Sequence, residues 1–181
     1  MSIKLSTLSV VLGLGMAALS SFGLFVPAKF AVAARKFPRS LPLGWLLTLL
    51  GTAWFVWNVQ GESLADFEGL KPYLFVLFVG VGIGTCVFVS DFLAVRGLSV
   101  MMLLLAKVMF DAERWEDTQW RLVIAVWGYG LVLAGMWFTV SPWRLRDLIH
   151  WSTANEKRIR LGSGIKVAFG LFVAILGLTV F

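Results

Sequence analysis

The sequence predicts an all-α polytopic membrane protein with six transmembrane helices in three hairpins. Three observations carry this prediction. Hydrophobic residues make up 59% of the 181 residues and charged residues only 14%, whereas soluble domains run about 45–50% and about 25%. The mean hydropathy is +0.87. The apolar residues gather into six runs, at 7–26, 42–59, 72–89, 95–110, 121–140 and 164–181, and a helix needs about 20 residues to cross a 30 Å hydrocarbon core. This composition excludes a soluble enzyme, a disordered chain, a disulfide scaffold and a collagen-like fibre. The whole chain, 1–181, reads as one transmembrane domain.

The first run resembles a signal peptide, with Lys4 ahead of an apolar stretch and small residues Ala17, Ala18, Ser20 and Ser21 after it. Apolar character continues through Phe22, Leu24, Phe25 and Val26, beyond a usual signal core. It is therefore expected to stay as the first span. The second, third, fifth and sixth runs meet the length criterion. The fourth is short and interrupted by Lys107, so it could be a re-entrant or interfacial segment instead.

Link charges decide the fourth run. The link at 28–41 carries Lys29, Arg35, Lys36 and Arg39 and no acid. The link at 60–71 carries Glu62, Asp66 and Glu68 against Lys71, and the turn at 90–96 carries Asp91 and Arg96. The link at 111–119 has four acids against Arg114. The link at 141–163 carries Arg144, Arg146, Lys157, Arg158 and Arg160 against Asp147 and Glu156. Six spans put both basic links on one side and both acidic links on the other; five spans would separate the basic links. The positive-inside rule then places the basic links in the cytoplasm and both termini outside. Lys107 is expected near the outer end of a short helix, snorkelling to the interface, and at i, i+4 from Asp111 it can pair with it.

The first and third hairpins share a corner. In each, an apolar helix meets a proline, Pro27 or Pro142, and a basic residue follows two positions later, Lys29 or Arg144. Ser141–Pro142 suits an N-cap with proline at the first helical position. Leu145, Leu148 and Ile149 fall at i, i+3 and i+4 and predict one apolar face, with Arg144 and Asp147 opposite. Both corners read as short helices lying in the membrane interface, with a solvated basic loop as the alternative. The five basic residues from Arg144 to Arg160 are expected to meet anionic headgroups or a partner's acidic surface.

On Pro142, Trp143, Arg144, Arg160, Gly164 and Gly170, the last third of the chain resembles a family of short two-helix bacterial inner-membrane proteins of unknown function. Those join their helices by a basic Pro-Arg-Trp-Arg type link. Here the order is Pro-Trp-Arg, and the spacing from Arg160 to Gly164 is Arg-x-x-x-Gly. The resemblance covers about a quarter of the chain, implies a bacterial inner membrane, and implies no catalytic residue.

Candidate sites are few. Gly80, Gly82 and Gly84 imitate a phosphate loop but lack its spacing and preceding strand. Gly80/Gly84 and Gly130/Ala134 are instead expected to let helices approach closely, as the same spacing at Gly13/Ala17 and Gly170/Ala174 would. Asp91 and Arg96 share a tight turn that could form an ion or proton site, or could be a cap beside a lipid phosphate. His150 is the single histidine and Cys86 the single cysteine, so no bis-His haem and no intrachain disulfide can form. Eight of the nine tryptophans fall near span ends and read as an aromatic belt. No catalytic group, metal motif, cofactor site or nucleic-acid surface is legible. The expected partners are the lipid bilayer and other membrane subunits or a second copy. The chain reads as a non-catalytic accessory or assembly subunit, with a small transporter or channel as the alternative and a membrane enzyme third.

Overall fold

A computed structural model describes residues 4–61 and 69–181. The chain is an all-α membrane protein. Six helices are long and apolar enough to cross a membrane: α1 (Leu5–Phe25), α3 (Leu41–Gly61), α4 (Lys71–Phe88), α5 (Leu93–Glu113), α6 (Arg121–Val140) and α8 (Glu156–Thr179). Two ten-residue helices, α2 (Pro27–Lys36) and α7 (Trp143–Ser152), form the first and third corners. The acidic residues Glu62, Asp66 and Glu68 lie outside the described residues.

Two boundaries differ from expectation, for one reason. Apolarity marks the stretch that faces lipid, whereas a helix runs on while propensity and side-chain pairing favour it. Accordingly α5 has 21 residues, about 31 Å at 1.5 Å per residue, and is not a short span. Lys107 pairs with Asp111 at 2.8 Å, as expected, but the helix continues to Glu113, so Lys107 sits about 9 Å inside its end. Likewise α8 begins at Glu156 and not at 164. Lys157, Arg158 and Arg160 therefore ride on its first turns instead of in a link.

The hairpins of the sequence are not the units of assembly. Helix α1 packs along α8, α3 along α4 and α5, and α5 along α6; the two legs of each hairpin diverge. In the first and third hairpins, a corner helix of ten residues, about 15 Å long, holds the legs apart. Helix α5 is central and buries Leu93, Ala94, Val95, Gly97, Ser99, Leu104, Ala106 and Met109. At one end Leu5, Leu8, Met109, Ile124 and Val173 join α1, α5, α6 and α8. At the corner end Val95, Phe138 and Leu145 form a second cluster, with Phe37, Phe92 and Ile149 against it.

Lipid supplies no hydrophobic drive for helix association, so close backbone approach must. It is strongest between α1 and α8. A Cβ added at Gly13 would lie 2.7 Å from Ala174 N, and one at Gly170 would lie 2.6 Å from Gly13 O. These are the small-residue pairs Gly13/Ala17 and Gly170/Ala174.

Gly80, Gly84 and Gly130 do otherwise. A Cβ at Gly80 or Gly130 meets nothing within 4 Å, and one at Gly84 reaches only Phe88 of its own helix. The close contacts expected there are not made within the chain. Gly82 is the glycine of α4 that faces α3, against Thr52, while α6 approaches α5 with Gly128 and Gly135. Residues two apart on a helix point about 200° apart, so turning Gly82 inward turns Gly80 and Gly84 outward. Ala134 does pack, against the corner cluster.

Candidate functional site

The turn from α4 to α5 sets the site. Phe92 has φ 54°, the only positive φ outside glycine among the described residues, a conformation costing roughly 1–2 kcal/mol for such a side chain. Its ring is held in the corner cluster, and the Arg146 guanidinium lies 5.9 Å from the ring centroid. The turn sends α5 away from α4, and both lean on α3. A cleft of about 460 Å³ opens between them.

One face of each helix lines it. Thr48, Thr52 and Phe55 come from α3, and Phe78, Val81, Gly82 and Thr85 from α4. Arg96, Gly97, Val100, Leu103, Leu104 and Lys107 come from α5. All follow i, i+3, i+4, i+7 spacing. Gly97 makes the floor tight, because a Cβ there would lie 2.8 Å from both Leu47 Cβ and Thr48 N. Two hydroxyls bond back to their own helices: Thr52 Oγ1 donates to Thr48 O at 2.8 Å and Thr85 Oγ1 to Val81 O at 2.7 Å. Their lone pairs stay available to accept.

The cleft wall is apolar apart from the Thr48, Thr52 and Thr85 hydroxyls and two cations, and no carboxylate lines it among the described residues. Lys107 has Asp111. Arg96 Nε is buried with no hydrogen-bond partner. A guanidinium keeps its charge under all ordinary conditions, and that of Arg96, half-buried with its Nε shielded, is only partly hydrated.

Asp91 does not supply a counter-ion. It is exposed in the turn, and no ion pair joins it to Arg96 among the described residues. The two residues of the expected site are not joined: Arg96 lines the cleft and Asp91 is exposed in the turn. Sequence reading missed Thr48, Thr52 and Thr85. The signal was there, since Thr48 and Thr52 are i, i+4 in an otherwise apolar span. It also passed over Lys166, exposed on α8.

The corner cations form a second group. Arg144, Lys157, Arg158 and Arg160 are exposed. Arg146 binds Asp147 at 2.9 Å, and Arg158 lies 5.2 Å from the Trp151 ring centroid. Three of them sit on the first turns of α8, where the helix dipole disfavours positive charge. Leu145 is buried and Ile149 half-buried as the apolar face predicts, but Leu148 is 50% exposed, because α7 rests on the bundle along a narrower line than i, i+3, i+4. The N-cap of α7 is Pro142 and not Ser141, so the proline stands one position ahead of the first helical residue, Trp143; Arg144 N donates to Ser141 O at 3.0 Å. His150 is exposed. Trp57, Trp115, Trp137, Trp143 and Trp151 are exposed near the two ends, and Trp127, the one outside the belt, stacks edge-on with Phe169 at 5.4 Å.

Fold and site together define a multi-pass all-α membrane protein with a lateral, cation-bearing cleft. Comparisons with protein-family models, curated proteins and solved structures find no match for the chain.

Proposed function

We propose that the protein is a non-catalytic accessory or assembly subunit of a larger complex in a bacterial inner membrane, with its corner helices on the cytoplasmic side. The observation that carries this reading is the outward face of α4. That helix buries only Gly82 and Cys86, and Gly80 and Gly84 present open backbone on its free side. Such a face accepts a transmembrane helix of another subunit at close range. The resemblance of the last third to short inner-membrane proteins supports the compartment, and the alternation of basic and acidic links supports the orientation.

The test is gentle-detergent purification from the native cell, followed by mass spectrometry of co-purifying proteins. Gly84→Leu should lose the partner while the purified chain melts as the wild type does. Recovery of the wild type without any stoichiometric membrane partner would remove the proposal. A small transporter or channel is the second reading, favoured by the cleft between α3, α4 and α5. Solute flux into liposomes carrying the chain alone, abolished by Arg96→Gln, would establish it instead.

A further inference from the structure

We propose that the cleft between α3, α4 and α5 is a binding site for one anionic glycerophospholipid, its phosphate on Arg96 and one acyl chain lying along α5 toward Lys107. This goes beyond the assembly reading and does not rest on it, because the site faces the cleft and not the outer side of α4.

Three features of the cleft select this occupant. The first is depth. Arg96 lies within one turn of the start of α5 at Leu93, about 4.5 Å along the axis, which is the level of headgroup and glycerol for a lipid of the corner-side leaflet. The second is length. The residues from Arg96 to Lys107 line the cleft over about 16 Å of helix, close to half of a 30 Å hydrocarbon core. A volume of about 460 Å³ falls within the range of ligand pockets, roughly 300–1,000 Å³.

The third is charge. The guanidinium has a buried Nε without a partner and no carboxylate along the cleft wall. A phosphate matches its planar fork and its charge, and basic pockets between transmembrane helices are known sites for anionic headgroups. Thr48, Thr52 and Thr85 add polar groups beside an otherwise apolar chain path. A zwitterionic lipid would bring a second cation to a site that already holds one. A free inorganic anion would leave the apolar length of the cleft unused.

The test is native mass spectrometry of the full chain, released from detergent with phosphatidylglycerol or phosphatidylcholine of identical acyl chains. The wild type should retain one phosphatidylglycerol per chain and prefer it by about tenfold or more, as a charge-assisted contact requires. Arg96→Gln should erase the preference and Arg96→Lys should keep part of it, while Lys166→Gln, an exposed cation on α8, should leave it unchanged. Val100→Trp, which fills the cleft, should reduce retention of both lipids.

Melting curves without added lipid verify that each variant is folded, and Val100→Trp decides the outcome if Arg96→Gln is not. Equal retention of the two lipids by the wild type overturns the proposal. So does an unchanged preference in folded Arg96→Gln, or displacement of the lipid by millimolar inorganic phosphate. Loss of a protein partner in Gly84→Leu bears on assembly alone and leaves this result untouched.

Discussion

Arg35 of the first corner grips Thr153 at the end of the third. Its Nε donates to Thr153 Oγ1 at 2.9 Å and its Nη2 to the Thr153 carbonyl oxygen at 2.7 Å, across 118 residues of sequence. Thr153 Oγ1 passes the chain on, donating to Ile149 O at 2.7 Å. A cation thus sits where α7 ends and its carbonyls lack partners, the favourable end of the helix dipole.

Removing this grip should loosen both corners together. Arg35→Gln is expected to cost about 1.5–3 kcal/mol, the range for a hydrogen bond to a charged group, read as denaturant-induced unfolding in detergent. Arg35→Gln with Thr153→Val should cost less than the sum of the two, since they remove one interaction. Strict additivity would show that the Nε–Oγ1 bond contributes nothing, since Thr153→Val leaves the carbonyl acceptor in place.

Glycines at equal spacing should respond in opposite ways. Gly170→Leu drives a side chain into the α1 backbone and should destabilise by about 1–3 kcal/mol or more. Gly84→Leu and Gly130→Leu meet open space and should leave the melting temperature of the isolated chain unchanged. A comparable drop in all three would mean that small residues matter here through something other than close approach.

Orientation can be read chemically. In a Cys86→Ala background, cysteines placed at Arg158 and at Phe181 should differ in intact cells: position 158 shielded from an impermeant maleimide and position 181 labelled. The reverse pattern would invert the proposed topology.

The corner cations should behave collectively. Attraction to an anionic leaflet is worth about 1 kcal/mol per basic residue near the surface and needs no fixed geometry. Single Gln substitutions at Arg144, Lys157, Arg158 or Arg160 should therefore have small effects, and the fourfold variant should disturb insertion. One substitution that abolishes the cellular phenotype while insertion stays normal would point to a dedicated anion site among them.

The spans were legible because lipid imposes one demand, an unbroken apolar helix of sufficient length. The corner helices were legible too, since proline and the i, i+4 spacing of Leu145 and Ile149 act locally. What could not be read was which faces meet. Gly80, Gly82 and Gly84 are equivalent by composition, and only the tilt of α4 on α3 decides that Gly82 goes inside. The same holds for Arg96. Its place in a tight turn suggested an ion or proton site shared with Asp91, or a cap beside a lipid phosphate; that Arg96 lines a cleft between three helices is set by their packing, which no local pattern encodes.

In the closest helix pair, α8 leaves the ribosome well after α1, because four other spans lie between them in the sequence. After Phe25 is made, synthesis must pass Glu156 before α1 can meet its main partner α8, an interval on the order of ten seconds at ordinary translation rates. Through that time the groove of Gly13 and Ala17 is occupied only by lipid or by whatever insertion factor attends the nascent chain. Closure of the bundle is thus timed by elongation, and a pause late in translation would prolong the one stage at which this groove can be captured by a foreign helix.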